Sequence, residues 1–125
     1  MTIERPYVAV VDDEAPVRVA LGRLLRLNDY DIGSFRSGEE FLASLETRRP
    51  ACVILDIQLS GISGLEVQTR MRAAGEDIPV VFITANQYLE LTPAASEAGG
   101  VRLLRKPFAN AALLDAIGAA LERRS

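Results

Sequence analysis

The sequence predicts a doubly wound α/β fold, a five-stranded parallel sheet with helices on both faces. Three observations carry this. Short apolar runs alternate with amphipathic stretches from end to end, in five such units. The runs are continuously apolar, as in strands covered on both faces. Helical crossovers between successive strands make those strands parallel, and their fixed handedness winds the helices over the sheet. A chain of 125 residues suits a single domain, read over 1–125, and it shows no repeat, linker or low-complexity tract.

Each element has its own signal. Tyr7 to Val11, YVAVV, is a buried strand that stops at the acidic triplet Asp12, Asp13, Glu14. Pro16 sits in the first turn of a helix, where its missing donor costs nothing, and Val17, Leu21, Leu24 and Leu25 share one face. Asp31 to Phe35 is a weaker second strand. Ser37 opens a capping box with Glu40, followed by the apolar positions Phe41, Leu42 and Leu45. Ala51 to Leu55 is the third strand, ending at Asp56; Gly61 and Gly64 then suit a turn and a close helix start before Leu65, Val67 and Met71. Pro79 to Ile83 is the fourth strand, ending at Thr84. In the irregular stretch ANQYLELTPAASEAGG, Pro93 breaks or begins a helix, which predicts a short or displaced one. Val101 to Arg105 is the fifth strand, closed by Lys106-Pro107. Ala109 to Arg123 is a last helix with Leu113, Leu114, Ile117 and Leu121 on its core face.

Composition excludes several function classes. With 49% hydrophobic, 25% charged and 6% aromatic residues, the chain has the make-up of an ordinary globular protein. The longest apolar runs, around Cys52 to Leu55 and Ile78 to Ile83, are far too short for a membrane span, and MTIERP lacks a signal core. A net charge of −3 disfavours a basic nucleic-acid face. There is no histidine, so imidazole-based triads and most zinc sites are impossible. The lone Cys52 reads as a core residue. Of the 14 basic residues only Lys106 is a lysine.

In a doubly wound fold, ligands bind beyond the carboxyl ends of the strands. Asp12 with Asp13, Asp56, Thr84 and Lys106 each stand at such an end. Singly, the carboxylates read as helix caps or turn residues, Thr84 as a common strand-end residue and Lys106 as a loop lysine. Together they are a chemistry. Clustered carboxylates are held by a hard divalent cation, and Mg²⁺ is the natural choice. Asp56 can act as nucleophile, while Thr84 donates a hydrogen bond and Lys106 a charged contact to an incoming phosphoryl group. The product is an aspartyl phosphate.

These residues resemble the receiver domains of bacterial two-component response regulators, over the whole chain. VVDDE at Val10 to Glu14, LDIQLSGISG at Leu55 to Gly64, Ile83-Thr84 and Lys106 to Phe108 match the family's motifs in order and in separation. The resemblance implies a flavodoxin-like receiver fold with strand order 2-1-3-4-5. It implies Asp56 as phosphoacceptor, Mg²⁺ bound directly by Asp13, Asp56 and the backbone carbonyl of Gln58 with Asp12 acting through water, and Thr84 and Lys106 on the phosphoryl oxygens. It also implies a cis Lys106-Pro107 bond that aims the ammonium into the site. Gln58 and Asn86, two past Asp56 and Thr84, would tune the phosphoryl lifetime. The implied partners are a histidine kinase or histidine phosphotransfer protein and a downstream protein, in a cytoplasmic chain with no membrane or direct nucleic-acid contact. A homodimer through the last helix, or through the fifth strand and the helix before it, is the family's usual contact. Ending at its last helix with no effector domain, the chain reads as a stand-alone receiver or as a trimmed DNA-binding regulator, to whose receivers VVDDEAPVR is similar.

Three departures from the family pattern stand out. Ser60 replaces the usual proline, which predicts a looser loop. Leu103 replaces the usual aromatic switch residue and is expected to be a passive packer. Pro93 with Tyr88, Leu89 and Leu91 makes the region before the fifth strand atypical, so that signalling is expected to run through its rearrangement. Rival readings are a phosphorylation-independent pseudo-receiver, a haloacid-dehalogenase-type phosphatase and a nucleotide or flavin carrier. The phosphatase would want D-x-D where Asp12 is followed two residues on by Glu14, and an acidic pair where Lys106-Pro107 stands. The carrier would want a glycine-rich phosphate loop, which is absent.

Overall fold

Alternation along the central strands sends successive side chains to opposite faces of one sheet, and that places two cores in the molecule. The computed structural model describes residues 4–87 and 102–122. Its strands are β1 (Tyr7–Val11), β2 (Asp31–Phe35), β3 (Cys52–Asp56), β4 (Val80–Thr84) and β5 (Arg102–Arg105). The described helices are α1 (Ala15–Leu27), α2 (Gly38–Ser44), α3 (Gly64–Ala73) and α4 (Asn110–Glu122). The sheet is parallel throughout, in the order β2-β1-β3-β4-β5. This is the expected doubly wound architecture with the expected strand order.

On one face Val8, Val10, Cys52, Ile54, Val81 and Ile83 pack beneath Leu21 and Leu25 of α1 and Leu113, Ala116, Ile117 and Ala120 of α4. On the other, Ala9, Val11, Val53, Leu55 and Phe82 meet Phe41 of α2 and Val67 and Met71 of α3. Burying a side chain of this kind contributes about 1.5–3 kcal/mol, so the central strand ends are held firmly from both sides. No helix among the described residues is long and apolar enough to cross a membrane.

Two strands begin and end one residue later than the apolar runs predict. Pro79 has no N–H and gives only its carbonyl, to Val53, whereas Asp56 and Thr84 stay in register with Ile83 and Arg105. Pairing uses the backbone and ignores side-chain polarity. Ser37 accepts the Glu40 N–H at 3.0 Å, as its capping role requires. Ser63 caps α3 in the same way through Glu66 N–H, a role not read from the sequence although S-G-L-E has the same form. The expected helix around Pro93, and Tyr88, Leu89 and Leu91 with it, lie outside the described residues.

Candidate functional site

The carboxyl ends of β1, β3 and β4 and the residue after β5 meet at one edge of the sheet. Asp12 continues β1, its N–H donating to the Phe35 carbonyl at 3.1 Å. It is fully buried. Its Oδ1 accepts the Glu14 N–H at 2.9 Å and its carbonyl accepts Arg18 Nη1 at 2.7 Å. Glu14 occupies the N-cap of α1 without a side-chain cap bond, so Asp12 serves the start of α1 as well as the site.

Asp56 closes β3 and is 4% exposed. Its Oδ1 accepts the Gln58 N–H at 2.9 Å. Behind it the loop turns at Gly61, with φ of 81°, and α3 begins at Gly64. A Cβ at Gly64 would lie 2.4 Å from the Asp56 carbonyl oxygen, so only glycine lets the helix start this close. Thr84 is buried at the end of β4, and its Oγ1 accepts the Asn86 N–H at 3.0 Å. The hydroxyl proton is left to donate elsewhere. The Thr84 carbonyl takes the Lys106 N–H at 2.7 Å, which ties β4 to the residue after β5. The Lys106-Pro107 bond is cis, as expected.

Lys106 reaches across the edge. Its Nζ lies 3.0 Å from Asp12 Oδ2, 3.3 Å from Asp56 Oδ2 and 3.6 Å from Glu14 Oε2. Burial raises the pKa of Asp56; the charge of Asp12 adds to this, against the lowering influence of the Gln58 amide and Lys106. Burial opposes the ammonium of Lys106, yet its bonds to Asp12 and Asp56 win and hold its pKa above the usual lysine value.

Asp12, Asp13 and Asp56 offer carboxylate oxygens within 4.8 Å of one another. The donor set is all oxygen, with one ammonium against three clustered carboxylates. Such a set fits a hard divalent cation such as Mg²⁺ and does not suit a soft metal.

The sequence-chosen residues Asp12, Asp56, Thr84 and Lys106 are therefore brought together, with Asp13 beside them. Gln58 is exposed and holds Asp56 through its amide, while Asn86 is half-buried and holds Thr84 through its own. Leu103 is half-buried, pairs in register with Phe82, and packs into the apolar cluster under α2 and α3. The expected looseness at Ser60 is corrected. Its N–H and Oγ–H donate to Asp13 Oδ2 at 3.2 and 3.0 Å, bridging two loops, and a proline could offer neither donor. Three contacts escaped sequence reasoning: Ser60 to Asp13, Arg18 to the Asp12 carbonyl, and Glu14 to Lys106. Each joins residues through tertiary geometry or helix phase, and residue type alone carried no signal for them.

This fold with this edge is that of a phosphoacceptor signalling module. The chain belongs to the response regulator receiver domain family, which matches its residues 8–118. Nodulation protein W of Bradyrhizobium diazoefficiens is 38% identical over 119 residues, covering 95% of this chain and 52% of that protein. Transcriptional regulatory protein TdiR of Thauera aromatica is 37% identical over 114 residues, covering 91% of this chain and 50% of that protein. The chain thus spans about half the length of the curated relatives it matches. Among solved structures, response regulator StyR superposes with a TM-score of 0.85 at 40% identity, over 95% of this chain and 60% of that one. A response regulator receiver protein from Sinorhizobium medicae shares the fold, with a TM-score of 0.85 at 24% identity over 99% of this chain and all of that one.

Proposed function

We propose that this receiver takes a phosphoryl group onto Asp56 from a phosphohistidine of a histidine kinase or phosphotransfer protein. It then passes the signal on by protein–protein interaction or phosphorelay. The observation that carries this reading is the convergence of Asp12, Asp56 and Lys106 within hydrogen-bonding distance at the sheet edge where Thr84 also ends. Asp56 Oδ1 is held by the Gln58 amide, so Oδ2 is the oxygen that attacks phosphorus as the bond to the donor imidazole breaks. Lys106, already beside Oδ2, moves its bond to a phosphoryl oxygen, and the Thr84 hydroxyl donates to another. Asp13 and Asp56, with the Gln58 carbonyl and with Asp12 behind them, are the groups that would hold Mg²⁺. When bound there, Mg²⁺ would supply positive charge against the developing charge of the phosphoryl group. Gln58 and Asn86 flank the path of hydrolytic water and set the lifetime of the phosphoryl group. Leu103 packs without acting as an aromatic switch.

Intact mass after incubation with Mg²⁺ and acetyl phosphate tests this, beside Asp56→Asn. One phosphoryl adduct in the wild type and none in the variant is the expected result. No adduct and no Mg²⁺ binding would overturn it in favour of a phosphorylation-independent interaction module.

A further inference from the structure

Each of the three clustered carboxylates is held by a backbone amide, but not in the same way. Asp12 and Asp56 each take the N–H two residues further along their own chain, from Glu14 and Gln58. Those turns are local and form wherever the backbone bends. Asp13 has no such local amide. It is exposed, and its donors come from Ser60, 47 residues away, whose N–H and Oγ–H both end on Oδ2. Among the described residues no donor reaches Oδ1.

We infer that Ser60 is a positioning residue for Asp13, fixing this carboxylate towards Asp56 so that the chain binds its divalent cation more tightly. An exposed aspartate samples several rotamers, and ordering it opposes metal binding. Two donors on one oxygen remove most of that freedom and leave the second oxygen to turn to the cluster. Partners of this kind behind a metal ligand change affinity by about 10- to 100-fold in other sites. The same bonds pin the loop that follows Asp56 to the loop that follows β1. The inference rests on the proposed Mg²⁺ site.

Mg²⁺ titration calorimetry on the whole chain tests it, with Ser60→Pro, Ser60→Ala and Ser60→Thr beside the wild type. Ser60→Pro, which loses both donors, should weaken Mg²⁺ by about tenfold. Ser60→Ala, which keeps the N–H, should weaken it less, and Ser60→Thr, which keeps both donors, should restore wild-type affinity. Melting temperatures without Mg²⁺ should stay together, since Ser60 is exposed. If Ser60→Pro does not fold, the Ala and Thr pair decides. Equal affinity in wild type, Ala and Pro overturns the inference, and so does tighter binding in the variants, which would make Ser60 a competitor of the metal. A wild type that binds no Mg²⁺ overturns the site reading itself, and this inference with it.

Discussion

The two edges of the sheet handle charge in opposite ways. At the carboxyl edge Lys106 serves Asp12, Asp56 and Glu14 at once, and the first two are buried. At the amino edge exposed arginines pair one to one with acids, Asp31 half exposed and Glu76 more covered. Arg48 bonds Asp31 at 2.7 Å while lying 3.8 Å over the Tyr7 ring, and Arg49 bonds Glu76 through both carboxylate oxygens. Burial raises Asp56 at the first edge, whereas the arginine hydrogen bonds lower Asp31 and Glu76 at the second. The amino edge has its charges satisfied and screened by water. The carboxyl edge keeps an excess of negative charge around two buried carboxylates, which favours a cation or a charge-neutralising reaction.

Helix α3 touches both edges and gives the sharpest test of this difference. Gly64→Ala at its start forces a methyl against the Asp56 backbone and should cost about 3 kcal/mol in a denaturant melt. Gly75→Ala past its other end meets no atom within 4 Å and should cost only the left-handed backbone strain at φ of 77°, about 1 kcal/mol. Equal costs would mean the carboxyl edge is no more tightly built than the amino edge.

Lys106→Met should be next in size. Removing the shared ammonium leaves Asp12 and Asp56 facing each other and should cost about 2 kcal/mol without Mg²⁺. Added Mg²⁺ should close most of that gap. Carboxyl NMR should show Asp56 titrating still higher in the variant, since a lowering influence is lost.

Arg49→Gln should have the smallest effect. Its partner Glu76 has a folded pKa below the ordinary glutamate value, so the stabilisation is present above that value and disappears as the pH falls through the folded pKa. Variant and wild type should differ little at neutral pH, as exposed pairs do, and converge in acid. The Glu76 carboxyl should move back up towards the ordinary range by NMR. A large loss at neutral pH would break the contrast between the edges.

Much of the site was legible because its residues stand at ends of apolar runs. β1 and β2 have the bounds that their patterns predict, and Asp12, Asp56, Thr84 and Lys106 were each visible as a polar residue closing a strand. The shift of β3 and β4 by one residue was not legible, since ladder pairing depends on the neighbouring strand. The ties Ser60–Asp13 and Arg18–Asp12 were hidden for a related reason. Serine and arginine have ordinary surface uses, and only the folded loops bring them to these partners.

The sequence by itself determined the order of elements, the two-sided burial of the sheet and the chemistry collected at its carboxyl edge. Hydrophobic period and strand-end residue type are local properties, and they suffice for that. Tertiary structure alone decided that one ammonium is shared among three carboxylates, that α3 starts against the Asp56 backbone, and that Ser60 holds Asp13. Those are distances between segments far apart in the chain, set by how two cores pack on one twisted sheet, and no local pattern encodes them.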